Sequence, residues 1–75
     1  MVELVRFIAQ SLVEQPDQVD VREVTGADSV VIELRVAEGD MGKVIGKQGR
    51  IAKAIRTVVK AATAKGQKPV FVEII

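Results

Sequence analysis

Four glycines fall within twelve residues near the middle of this chain, in the segment EGDMGKVIGKQG (residues 38–49). Glycine is costly inside a regular helix, because its backbone loses more conformational freedom on folding than that of any other residue. This density excludes one long helix and predicts two helical pieces separated by a tight turn at residues 46–49. We expect the first piece to be short, to run through Val44 and Ile45, and to be capped by Asp40.

The N-terminal half carries one helical pattern and two strand patterns. Apolar residues repeat at helical spacing over residues 2–13, and Pro16 ends this helix, because the residue before a proline disfavours the helical region. Residues 19–25 and 29–37 alternate in polarity, and the turn at residues 26–28 predicts that they form an antiparallel hairpin. The apolar positions are Leu4, Val5, Ile8 and Leu12 in the helix and Val30, Ile32, Leu34 and Val36 in the second strand.

A long helix and a last strand follow the glycine-rich segment. The helix is predicted from Arg50 to about Ala64, with Gly66 as its C-terminal cap, and the strand VFVEII follows Pro69. The apolar positions of the helix are Ile51, Ile55, Val58, Val59 and Ala62. A helical crossover between the second and third strands implies that they run parallel. The predicted fold class is α+β, with the order α-β-β-α-α-β and helices on one face of a three-stranded mixed sheet.

Composition excludes several kinds of chemistry. The 75 residues include no cysteine and no histidine, which removes disulfides, most zinc sites and nucleophiles activated by imidazole. The spacing of Gly42 and Gly46 fails the nucleotide-binding P-loop pattern, since three residues intervene instead of four, and Gln48 stands where serine or threonine is required. We therefore expect no enzyme, no cofactor and no metal site.

The length of the chain is that of one small domain spanning residues 1–75. Its apolar runs are too short for a membrane helix, and its first ten residues carry Glu3 and Arg6 within the apolar pattern, unlike a signal peptide. We expect a soluble, cytoplasmic domain.

Charge is divided unevenly along the chain, although the net charge is only +1. Residues 1–40 hold nine acidic and three basic side chains, whereas residues 41–75 hold one acidic and eight basic ones. Such asymmetry is typical of a surface that binds a polyanion. The acidic half either balances solubility or keeps a polyanion off the back of the sheet, and the sequence does not separate these alternatives.

The turn predicted at residues 46–49 has the properties of a phosphate-binding loop. Gly46 and Gly49 allow a ligand close to the backbone, and the turn opens a helix whose free N–H groups and dipole favour anions. Lysine and arginine surround it without an acidic neighbour, and apolar side chains next to it suit the faces of unstacked bases. The candidate residues for binding phosphates and bases are Lys43, Ile45, Gly46, Lys47, Gln48, Gly49, Arg50, Ile51 and Lys53.

The run VIGKQGRIAKAI resembles the signature of the KH domain, an apolar pair followed by G-x-x-G and an amphipathic helix. With this element order the resemblance is to the type II arrangement, and over the whole chain it is to the small single-KH RNA-binding proteins of bacteria, the KhpA type. KH domains clamp about four single-stranded nucleotides, with the G-x-x-G loop on the backbone. The resemblance thus implies that residues 46–49 contact phosphates of single-stranded RNA.

The base-binding groove is less defined by the sequence than the loop. Many KH signatures place a large apolar residue where this chain has Ala52. The small proteins that it resembles tend to have a short polar residue at the place of Ile51, so we expect Ile51 to be exposed to a ligand or partner. The resemblance also makes Val36 or Arg35, at the strand end, candidates for the base groove. Phe7 and Phe71 lie outside the motif, which excludes an aromatic stacking platform. Binding should therefore be weak and show little sequence preference.

A second function, assembly with other proteins, stays open. The strand VFVEII is expected at an exposed sheet edge, which favours pairing with another chain. A weakly binding domain also gains avidity by dimerising. The resemblance implies a homodimer, a larger KH-containing partner, a role as an RNA chaperone or post-transcriptional regulator, and a link to cell elongation and division.

Overall fold

Three helices cover one face of a three-stranded sheet in the computed structural model, which describes residues 1–75. The elements are α1 (Val2–Leu12), β1 (Asp20–Thr25), β2 (Val30–Arg35), α2 (Met41–Ile45), α3 (Arg50–Ala62) and β3 (Val70–Ile74), with 3₁₀ turns at Pro16–Gln18, Glu38–Asp40 and Lys47–Gly49. The predicted order and the α+β class are confirmed. None of the three helices combines the length and the hydropathy that a membrane span requires.

The sheet has the order β1-β2-β3, with β2 in the centre. It pairs antiparallel with β1, from Asp20 opposite Arg35 to Thr25 opposite Val30. It pairs parallel with β3, from Val30 opposite Val70 onwards. The hairpin and the parallel crossover are therefore both confirmed, and β1 and β3 are left as the two edges of the sheet.

One cluster of buried side chains joins the sheet to all three helices. On β2, Ile32 and Leu34 point into it and are fully buried, while Val31 and Glu33 point to the opposite face, because side chains alternate along a strand. The members of this core are Val5, Ala9, Val21, Ile32, Leu34, Val36, Val44, Ile55, Val59 and Val72. Val44 anchors the five-residue helix α2, which is too short to persist without such packing.

The buried stripe of α3 differs from the predicted one. Ala52, Ile55 and Val59 are buried, at spacings of three and four residues, whereas Val58 is 43% exposed. The cause is the helical period: a stripe centred on Ile55 and Val59 rotates Val58 towards solvent. Leu12, the last predicted apolar position of α1, is 38% exposed.

The end of α3 also differs from the prediction. The helix ends at Ala62, and the extended backbone of Thr63 (φ −78°, ψ 125°) terminates it. Gly66 is not the cap. It has φ 87° in the connection to β3, where the chain reverses after leaving the helix.

Asp40 does not cap α2 with its side chain, contrary to the prediction. It is buried, and its carboxylate accepts hydrogen bonds from the backbone N–H groups of Glu14 (3.2 Å) and Gln15 (3.1 Å). Those amides follow α1 and have no acceptor within the helix, so they need a buried acceptor from elsewhere in the chain. The start of α2 is partly solvated and needs such an acceptor less. Asp40 thus ties the end of α1 to the start of α2.

Candidate nucleic-acid interface

The predicted turn at residues 46–49 is the connection between α2 and α3, and three of its four residues have positive φ. The values are 76° at Gly46, 58° at Gln48 and 73° at Gly49. The N–H of Gly49 donates to the C=O of Gly46 (3.1 Å) and closes the turn. Gln48 is the one residue other than glycine with positive φ in the chain, and only local closure of the turn explains why it is held there.

Backbone donors are available at this turn. No side chain caps the 3₁₀ turn at Lys47–Gly49, and none caps α3. The first N–H groups of a helix have no partner within the helix, and they lie at the positive end of its dipole. Two of the N–H groups here are already used, since those of Gly49 and Arg50 donate to the C=O groups of Gly46 and Lys47. The turn therefore offers its remaining N–H groups and the positive end of the dipole to an anion.

Cationic side chains lie in the turn and on the two helices that it connects. Lys47, Arg50 and Lys53 are exposed. The Arg50 Nη2 donates to the Gln48 Oε1 (3.3 Å), which holds the guanidinium over the turn. Lys43 lies on α2, and its Nζ is 3.7 Å from the Glu14 Oε1, so its charge is partly neutralised by the segment after α1.

The predicted apolar neighbours of the turn fall into two classes. Ile45, at the end of α2, is exposed beside the turn, while the preceding Val44 is fully buried. Ile51 is half-buried and packs against the core, so it is less exposed than expected. Ile45 is therefore the apolar side chain that the turn presents to solvent.

Neither predicted strand-end residue is exposed on the helical side of the sheet. Val36 is buried in the core, and Arg35 projects from the face of the sheet opposite the helices, in a small depression with Arg22 and Glu33. The reason is the alternation of side chains along extended backbone, which turns Val36 into the core and its neighbour Arg35 to the opposite face. β2 is also the central strand, so both of its backbone edges are paired. The accessible strand near the helices is β3.

A groove of about 430 Å³ lies between α3 and β3, and sequence reasoning did not identify it. Its lining residues are Arg56, Lys60, Thr63, Pro69, Val70, Phe71 and Val72. The available signal was the spacing of Lys53, Arg56 and Lys60, which places them on one face of α3. That face leads from the turn at the start of α3 to the groove beside its C-terminal half.

One edge of β3 faces this groove, and no other strand of the sheet pairs with the backbone there. Val30 N–H donates to the Pro69 C=O, and Ile75 N–H donates to the Leu34 C=O, both at 2.9 Å. In a parallel ladder, every second residue of a strand directs its N–H and C=O to the neighbouring strand. On β3 the residues in this series include Pro69 and Ile75, so the N–H and C=O of Val70 and Val72 point to the free edge. One of these groups is occupied: the Arg56 Nε donates to the Val72 C=O (3.2 Å).

This α+β fold, with a G-x-x-G turn between two helices and a parallel edge strand beside them, is that of a type II KH domain. The model of the family described as KhpA/KhpB, KH domain, matches residues 2–74, and the chain belongs to this family.

Relatives are similar over the full length. "RNA-binding protein KhpA" of Clostridium perfringens is 65% identical over 75 residues, which cover 100% of both chains. The protein of the same name from Borreliella burgdorferi is 46% identical over 74 residues, 99% of this chain and 90% of that one. Among solved structures, an Era variant of Aquifex aeolicus bound to GDP and aluminium fluoride has a TM-score of 0.59 and 25% identity, covering 99% of this chain and 30% of that chain.

Proposed function

We propose that this protein is a single KH domain, residues 1–75, that binds single-stranded RNA without catalysing a reaction. The turn at residues 46–49 contacts the phosphates, with Lys43, Lys47, Arg50 and Lys53 supplying positive charge. Ile45 and the groove between α3 and β3 receive the bases. Ile51 supports the turn from behind.

The observation that carries this proposal is the turn itself. A loop with positive φ at Gly46, Gln48 and Gly49, uncapped by any side chain, exposes backbone donors at the start of a basic helix. Backbone donors at a helix N-terminus, with cations around them, favour phosphate oxygens. The names of the relatives, which describe RNA-binding proteins, support the same choice of ligand.

We further propose that binding is weak, with little sequence preference, and that the protein acts in the cytoplasm as an RNA chaperone or post-transcriptional regulator linked to cell elongation and division. Phe7 and Phe71 are the two aromatic residues, and neither lies in the turn. Phe71 lines the groove only through its backbone side of β3, because its side chain alternates with the buried Val72 and points to the face of the sheet opposite the helices. Stacking on aromatic side chains, which contributes about 1–3 kcal/mol per base in other single-strand binders, is therefore missing at the turn.

The test is a double substitution, Lys47→Asp with Gln48→Asp, measured by fluorescence anisotropy with a labelled single-stranded RNA. Aspartate tolerates the backbone conformation of residue 48, so the fold should persist by circular dichroism while RNA binding is lost. A matched control, Lys65→Asp with Gln18→Asp, makes the same charge change at two exposed positions away from the turn. Equal affinity of the first variant and the wild type would refute the site.

We propose assembly as a second function, either as a homodimer or with a larger KH-containing partner. The supporting observation is an apolar row on the face of the sheet opposite the helices. Val24 pairs with Val31, and Val31 with Phe71, so the three side chains lie side by side, and Val24 and Phe71 are 51% and 56% exposed.

Sedimentation analysis at rising concentration tests the homodimer: Val24→Ser, which leaves the groove intact, should weaken self-association. A wild type that stays monomeric at millimolar concentration argues against it.

A further inference from the structure

The free edge of β3 carries one hydrogen bond that alters what it offers to a ligand. An edge residue whose backbone is unpaired presents an N–H donor and a C=O acceptor side by side. At Val72 the acceptor is engaged by the Arg56 Nε, in a partly buried contact at 3.2 Å. The bond joins residues 16 positions apart and lies on the wall of the groove between α3 and β3.

A free C=O on a strand edge is an acceptor for the exocyclic amino group of a base. Adenine and cytosine each carry an exocyclic NH₂ that donates hydrogen bonds, whereas guanine and uracil carry a carbonyl oxygen at the corresponding position (O6 and O4) that accepts them. The bare Val72 C=O would therefore attract the amino group of adenine or cytosine and repel the oxygen of guanine or uracil.

Arg56 reverses this local pattern. Its guanidinium has five N–H donors and no acceptor, and only the Nε–H is used by the Val72 C=O. The remaining donors and the positive charge stay in the groove, whose other charged lining side chain is the cation Lys60. A base in the groove therefore encounters the N–H donors of Arg56 at the place where an uncovered β3 edge would present the Val72 C=O acceptor.

We infer that Arg56 is a specificity-determining residue that makes the groove favour the keto bases uracil and guanine over the amino bases adenine and cytosine. The inference rests on the proposed binding of single-stranded RNA and adds to it a modest base preference. It requires no new contact to the phosphates, because the turn at residues 46–49 acts independently of the base.

The test compares affinities for the oligonucleotides U₇ and A₇, by fluorescence anisotropy at one salt concentration, in three proteins. These are the wild type, Arg56→Met, which keeps an unbranched side chain but frees the Val72 C=O, and Lys60→Met, which removes one charge from the same groove. Uracil and adenine stack differently, so the two affinities are expected to differ in every protein tested. The informative quantity is therefore the change, from wild type to variant, in the ratio of the two dissociation constants. We expect Arg56→Met to shift this ratio in favour of A₇ by roughly fivefold, the scale on which one hydrogen bond discriminates between bases. We expect Lys60→Met to weaken the binding of U₇ and of A₇ by the same factor.

The outcomes separate the inference from the proposed function. Binding to U₇ and A₇ with an unchanged ratio in Arg56→Met, or an equal shift in Lys60→Met, overturns the role of Arg56 and leaves RNA binding intact. No binding of either oligonucleotide by the wild type overturns both. If Arg56→Met is not folded by circular dichroism, Arg56→Gln replaces it. Glutamine contributes an acceptor oxygen of its own, so the ratio should again move towards A₇.

Discussion

Ile51 packs against the backbone of Gly46, and together they determine the shape of the turn between α2 and α3. A Cβ atom added to Gly46 would lie 2.9 Å from the Ile51 backbone nitrogen and 2.8 Å from the Ile51 Cβ. Both distances are shorter than real Cβ contacts allow, and the φ of 76° at Gly46 independently disfavours any side chain. The turn therefore needs glycine at this position for two reasons, space and backbone conformation.

Gly46→Ala should destabilise the fold by about 3 kcal/mol or more, because it combines backbone strain with a clash against Ile51. Urea unfolding followed by circular dichroism measures the change in the free energy of unfolding.

Two other glycines provide controls for this clash. Gly49 has φ 73° but open space around it, so Gly49→Ala should cost only the conformational part, about 1–2 kcal/mol. Gly42 lies in α2 with an ordinary φ and open space, so Gly42→Ala should stabilise the protein by about 0.4–1 kcal/mol. Equal losses in Gly46→Ala and Gly49→Ala would show that Ile51 places no steric limit on residue 46.

Asp40→Ala should lower the free energy of unfolding by about 2–4 kcal/mol, because it leaves the N–H groups of Glu14 and Gln15 without their acceptor. Asp40→Asn keeps one acceptor oxygen and should cost less. The control is Asp17→Ala at an exposed position, with little expected effect. If Asp40→Ala and Asp17→Ala unfold at the same urea concentration, the carboxylate does not hold these two segments together.

Affinity for single-stranded RNA should fall with salt, and Lys47→Met should reduce the slope of log K against log[salt] by about 0.7, the contribution of one phosphate contact in single strands. Lys65→Met, which removes an exposed charge beyond the far end of α3, should leave the slope unchanged. Titrations at four or five salt concentrations measure both. Identical slopes for Lys47→Met and the wild type would mean that this lysine makes no phosphate contact.

Gln48→Gly should stabilise the protein by up to about 1 kcal/mol, because glycine adopts φ 58° without the steric cost that glutamine bears. Gln48→Val should destabilise it, since a β-branched side chain is least compatible with this conformation. Thermal unfolding of the two variants checks the order, and a more stable valine variant would contradict the assigned backbone conformation.

The path of the chain was predictable because local signals agree along most of its length. Alternation over residues 29–37 predicted β2, the hairpin turn predicted its antiparallel partner, and a helical crossover left a parallel β3 as the simplest arrangement. The errors concern helix faces and ends. Val58 was predicted on the apolar stripe of α3 and is exposed, because adjacent helical residues point about 100° apart and the buried stripe is centred on Ile55 and Val59.

The sequence by itself determined the position and character of the loop. The glycines at 46 and 49, and the cations around them, are adjacent along the chain, and their conformation follows from local backbone sterics and charge. Only the tertiary structure decided which strand edge is open, that Arg56 binds the Val72 carbonyl, and that Asp40 binds the amides after α1. These contacts join residues 16 to 26 positions apart, and packing of the whole chain brings them together, so no local pattern predicts them.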